Sequence, residues 1–288
     1  MARKTVRSRR LGKQLRHLRE HANLNQDRLV ELINTGQQVR ALLSQSQLSK
    51  VEAGSARLDT EQLNRIIEVL RADQATASRL HALRARAEEP GWLDEYSPYI
   101  QQALEMALEL GEEATTIRTY DTVFVQGLVQ TEEYARAVIS SGVAFVRPTD
   151  VETLVELRMR RQARLRAESF EQLTAVITEA TLRHQVGSRA VMRAQLEKLC
   201  QVTEDGLVAV HVLPNSEGPW PGLGSFVIYS FPEPEDSDVV YIDSDLGASI
   251  HEDRDAINCM RYTFNSALTR ARAAQASLEL YHLVMKEM

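Results

Sequence analysis

Two cysteines in 288 residues, Cys200 and Cys259, are too few for a disulfide framework or a zinc finger. They suit a reducing compartment. Long hydrophobic runs are missing too. The longest, such as "GLVAVHVL" at 206–213, are strand-sized and far short of the roughly 20 residues that cross a bilayer. No apolar stretch follows the positive charges at the N-terminus, so a secretory signal is not expected and a cytoplasmic location is. Glycine loops that cradle phosphate are absent, and "GLGSFV" (222–227) fits neither G-x-S-x-G nor G-x-G-x-x-G. The seven histidines, His17, His21, His81, His184, His211, His251 and His282, are read as offering no His-x-x-x-His or cysteine-rich metal spacing. His211, set among strand residues, reads as a core or edge histidine. Glu132 and Glu133 stand together at a helix start, where capping explains them better than acid–base work. No enzyme activity, metal or cofactor is expected.

What is present is an uneven charge. The chain carries −6 overall, yet residues 1–86 hold 17 Lys/Arg against 8 Asp/Glu, and the remainder 17 against 32. That pattern suggests a basic nucleic-acid module joined to an acidic body that would not itself approach phosphates.

The basic part reads as helices. Leu11, Leu15, Leu18 and Ala22 share one helical stripe. A second helix starts at Gln26 behind the cap Asn25, with Leu29, Leu32 and Ile33 inward. In "SQSQLSKVEAG" (44–54) Ser44 caps a short helix, and Leu48 and Val51 are its only apolar face. Asp59 and Gln62 form a capping box for a fourth helix that buries Leu63, Ile66, Ile67 and Leu70, and a fifth runs to about Ala87. "EEPGWLDEYSP" (88–98) breaks the pattern as a linker.

Helices at this spacing suit a helix-turn-helix unit, in which one short polar helix enters the major groove of double-stranded DNA. Gln45, Ser46, Gln47 and Lys50 project outward; glutamine can pair with adenine, and lysine can donate to guanine. Arg57, just past Gly54, is a phosphate candidate. Arg3, Lys4 and Arg7 belong to a basic arm over residues 1–10 that could follow the backbone or enter a minor groove; the alternative is a solubilising tail.

Residues 11–70 resemble the repressor-type (XRE, Cro/C1-type) helix-turn-helix family, through "LRHLREHANLNQDRLVEL", "SQSQLSKVEAG" and the helix that follows. The resemblance implies a brace between Arg19 and Glu52 and a phosphate contact from Gln26. Asn23 stands where the family usually has glycine. About eight extra residues lie before Ser44, around "NTGQQVRALL", where Arg40 could add a phosphate contact.

The domains expected are the arm (1–10), the helix-turn-helix domain (11–87), the linker (88–98) and an acidic α+β domain (99–288). The acidic domain should hold several helices and a small, mostly antiparallel sheet, with "LVAVHVLP", "GSFVIYSF" and "DVVYID" as three of its strands. One long helix, about 251–286, should close it, with Ile257, Met260, Phe264, Leu268 and Ala271 on one face. "RMRRQARLR" (158–166) reads as a solvated helix face paired with carboxylates, or else a second DNA patch. Trp220 in a Pro/Gly loop could cover a ligand mouth.

The run "IRTYDTVFVQGLVQTEEYARAVI", with "LRMRRQARL" and "AVMRAQLEKL", resembles the C-terminal domain of actinobacterial WhiJ-like regulators. Gln126 stands where that family usually has proline. The resemblance implies a small partner protein encoded nearby. The function expected is a homodimeric transcriptional regulator on a palindromic operator, with a small-molecule effector as input. The alternative input is the small partner protein.

Overall fold

A computed structural model describes residues 6–35, 42–88, 91–142, 146–206, 208–218, 222, 224–232, 236–244 and 247–288. The chain divides into two compact units, residues 1–94 and 95–288.

The first unit is all helix: α1 (Val6–His21), α2 (Gln26–Asn34), α3 (Gln45–Glu52), α4 (Thr60–Leu70) and α5 (Gln74–Glu88). Short-range chemistry sets most of its boundaries. Asn25, Ser44 and Asp59 cap α2, α3 and α4 by accepting from the backbone N–H three residues on, and Gln62 completes a capping box. Asn23 adopts φ 55°, a left-handed turn that asparagine tolerates. One core joins Leu11, Leu15, Leu29, Ile33, Leu43, Leu48, Val51, Leu58, Leu63, Ile66 and Leu80. Leu32 is only half-buried, and Ala22 lies past the end of α1 and is exposed.

The expected arm differs from what is found. Helix α1 already begins at Val6, which is buried, so residues 6–10 belong to the helix. Ser8 donates to the carbonyl of Gly54, and Arg7 to that of Arg86, which ties this end of α1 to its neighbours.

The second unit wraps a six-stranded mixed sheet: β1 (Thr116–Asp121), β2 (Gln172–Thr178), β3 (Val208–Leu213), β4 (Phe226–Ser230), β5 (Val239–Ile242) and β6 (Ser249–His251). Its order is β3-β2-β1-β4-β5-β6. The β1–β2 and β2–β3 pairs are parallel and the other three antiparallel. So β3 does not sit beside β4, as three successive strands would suggest. Parallel neighbours need long crossovers. Here α7 (Glu132–Ser140) and α8 (Val151–Arg161) lead into β2, and α9 (Glu179–Arg183) and α10 (Arg189–Glu204) into β3, while α6 (Gln102–Glu113) precedes β1.

One face of the sheet packs Tyr120, Val176, Phe226, Ile228 and Val240 against Ile257, Phe264 and Ala267 of α11 (Arg254–Arg270). Helix α12 (Ala274–Glu287) follows, so the single closing helix expected is two. The break at residues 271–273 lacks proline and glycine. Its cause is tertiary: Arg272 donates its N–H to the carbonyl of Val212, and Val212 donates to Ser277 Oγ. His211, half-buried on outermost β3, has its pKa lowered by burial.

The segment "GLVQT" forms the hub of this unit. Gln130, 2% exposed, donates to Val125 and accepts from Arg158. Its carbonyl accepts from Gln162 and Lys198, and Gln195 holds the Val129 carbonyl and the Thr131 N–H. Thr131 caps α7, and Gln126 takes φ −53°, a value proline would also adopt.

This hub also corrects the reading of "RMRRQARLR" as a solvated face. Arg158 and Arg161 are half-buried, and Arg164 is buried with bonds to the Gly111 and Ala114 carbonyls. Arg160 is exposed and pairs with Glu95, and Arg166 is exposed. Sequence shows the charges; only packing shows which way each one turns.

Candidate nucleic-acid interface

Helix α3 is short because its ends are fixed. Ser44 Oγ accepts from the Gln47 N–H at 3.1 Å, and at the far end Gly54, at φ 70°, turns the chain so that Ser55 N–H reaches the Lys50 carbonyl at 2.8 Å. Leu48 and Val51 are buried, which leaves Gln45, Ser46 and Lys50 exposed and Gln47 half-buried on the other side.

A polar relay sets the orientation of this helix. Arg19 meets Glu52 with two parallel hydrogen bonds, Nε–Oε1 at 2.6 Å and Nη2–Oε2 at 2.9 Å. Both side chains are nearly buried, so the pair is shielded from water. The hydrogen bond to Glu52 raises the Arg19 pKa further. Gln26 Nε2 donates to the same carboxylate at 2.8 Å, and Gln45 Nε2 donates to Gln26 Oε1 at 2.7 Å. The first side chain of α3 is thereby tied through α2 to α1. Gln45 keeps its carbonyl oxygen, and Gln26 its second N–H, for an outside partner.

The lengthened connection is closed at its neck. Asn34, the last residue of α2, donates from Nδ2 to the Leu43 carbonyl and accepts from the Leu43 N–H, both at 2.9 Å. Arg65 caps the same helix end through the Ile33, Leu32 and Thr35 carbonyls. Leu43 itself is 2% exposed, so Ser44 starts α3 from a fixed point. Arg40 lies outside the described residues, as do Arg3, Lys4 and Trp220.

The structure thus brings Gln26, Gln45, Arg19 and Glu52 into one network. Ser46, Gln47 and Lys50 lie on the same short helix, and Arg57 is exposed three residues beyond Gly54. Arg7 sits apart from that group, on the first turn of α1. Sequence reading missed Gly12 and Asn34. A Cβ on Gly12 would stand 2.4 Å from the Val51 carbonyl oxygen and 2.6 Å from that of Glu52, so α1 and the end of α3 touch backbone to backbone. The signal available was a glycine inside an otherwise regular helical stripe.

One histidine reading is corrected: His17 and His21 do share a His-x-x-x-His spacing on α1, with ring centroids 6.3 Å apart. Among the described residues no group of three His, Cys, Asp or Glu could hold a metal. Nor is any helix there long and apolar enough to cross a membrane.

A family model described as a helix-turn-helix domain matches residues 10–80. Another, described as a domain of unknown function (DUF5753), matches residues 104–282. No curated protein and no solved structure matches the chain. The second match spans more than half of the chain, and the protein therefore belongs to the DUF5753 family, with an N-terminal helix-turn-helix domain joined to that body.

Proposed function

We propose that this protein is a sequence-specific, double-stranded-DNA-binding transcriptional regulator of the repressor-type (XRE) class, acting in the cytoplasm as a homodimer on a palindromic operator. One observation carries the reading: a capped, polar-faced α3 whose leading glutamine is held by the Gln26–Glu52–Arg19 relay. Such a helix presents Gln45, Ser46, Gln47 and Lys50 to base edges in the major groove. Gln26 and Arg57 contact phosphate, and Arg3, Lys4 and Arg7 add contacts to the backbone.

The test is selection of bound sequences from a random duplex pool, followed by the same selection with Gln45→Ala and Lys50→Ala. Each variant should relax preference at its own base position, at about 1–3 kcal/mol per lost contact. Unchanged preference in both sinks the reading role of α3.

In this reading the acidic body supplies dimerisation and regulatory input from a small ligand. A second reading makes it the docking surface of a small partner protein encoded nearby. Tyr262 on α11, 76% exposed, is the kind of aromatic anchor that favours it. Co-purification from the native host separates the two.

A further inference from the structure

The second unit gives partners to most of its inward-turned arginines. Arg118 bonds Asp238 and Ser230, and Arg164 bonds two carbonyls and Ser169. Arg161 is the exception. It is half-buried at the end of α8, yet its guanidinium makes no hydrogen bond or ion pair with any described residue. All five of its N–H donors are unused by the described residues.

Arg158 lies one turn earlier on the same side of α8, at spacing i, i+3. Its single hydrogen bond goes to Gln130 Oε1, at 3.0 Å, and it lies close against Gly127. Arg161 stands near enough to disfavour the charge on Arg158. Burial holds Arg158 down to about 10 and lowers Arg161 as well. Around Arg161 stand Tyr229 and Tyr241, buried side chains from neighbouring strands that share one face of the sheet. Glu112 of α6 faces Arg161, Asp243 and Tyr134 face Arg158, and Asp243 also accepts from the hydroxyl of Tyr241. Neither carboxylate forms an ion pair with these arginines.

Two half-buried like charges, one without a partner among the described residues, form a site that solvent still reaches and an anion would neutralise. A guanidinium fork matches the two oxygens of a carboxylate or phosphate, and a second fork with the Tyr229 hydroxyl completes the donor set. Glu112 and Asp243 would repel a polyanion, which favours one isolated oxyanion over a nucleic-acid backbone.

We infer that Arg158 and Arg161, with the hydroxyl of Tyr229, bind the carboxylate or phosphate group of a small organic anion. Such an anion would be the input to the acidic body, and only this regulatory consequence rests on the function proposed above.

The test uses the full chain, with thermal melting and calorimetric titration at constant ionic strength. The probes are inorganic phosphate and benzoate, with chloride as control. One of the two probes should raise the Tm by about 5 °C near saturation, and Arg161→Gln should abolish that rise. Arg161→Lys, which keeps the charge without the fork, should weaken binding at least tenfold. Without any probe Arg161→Gln should melt at or above the wild-type temperature, since it removes an unpaired charge. Three results overturn the site: a lower Tm for Arg161→Gln without probe, equal stabilisation of wild type and variant, or no rise with either anion.

DNA affinity is read separately, with and without the probe. Binding of the probe without change in DNA affinity keeps the site and removes its regulatory role. Loss of DNA binding under every condition overturns the regulator reading and leaves the site standing.

Discussion

Asp121 ends β1 with its carboxyl buried, and among the described residues only the Thr119 hydroxyl donates to it, at 2.7 Å. Burial pushes its pKa up to about 7. In an unfolded chain the same group titrates near 4. Between those values the folded protein holds a proton that the unfolded chain has released, so stability falls as pH rises through that window. A gap of about 3 units corresponds to about 4 kcal/mol lost by neutral pH. Asp121→Asn keeps the shape and can still accept from Thr119. It should therefore melt above the wild type at pH 8, with the difference closing by pH 4. A difference that stays constant across that range would show that the carboxyl does not titrate with folding.

At the scale of elements, two contacts decide how α3 is aimed. Gly12→Ala would drive a Cβ into the backbone oxygens of Val51 and Glu52, and a peptide carbonyl cannot swing aside as a side chain can. The expected cost is about 2–3 kcal/mol, read as a lower melting temperature of the first unit. Asn34→Ala removes both bonds at the neck of the long connection. It should cost about 2 kcal/mol and weaken DNA binding while leaving the preferred sequence unchanged. A changed preference would mean that the connection itself reads bases. Helix starts were legible in the sequence because Asn25, Ser44, Asp59 and Thr131 act on N–H groups three residues away. The strand order was not, because β1 finds β4 more than a hundred residues later. The interruption between α11 and α12 was equally hidden, since its cause is a bond to Val212 rather than any residue of the break. The arginines of "RMRRQARLR" looked alike in sequence and separate only once Gln130 and the sheet are in place.

Across the whole molecule, charge is divided as the two units are, with 17 basic residues against 8 acidic ones before residue 87 and 17 against 32 after it. Sequence-independent attraction to DNA should arise in the first unit alone. Arg57→Ala should weaken binding to every duplex alike and lower the slope of log affinity against log salt by about one. Fluorescence anisotropy over a salt series measures this. A loss confined to one sequence would move Arg57 from phosphate to a base edge.

The clasp between Val212 and the start of α12 has a consequence for association. Both backbone groups of Val212 that face away from β2 are occupied, the carbonyl by Arg272 and the N–H by Ser277. The opposite margin of the sheet, β6, is only three residues long. A strand added along β3 would be stopped at Val212, and one added at the other border would find only three residues.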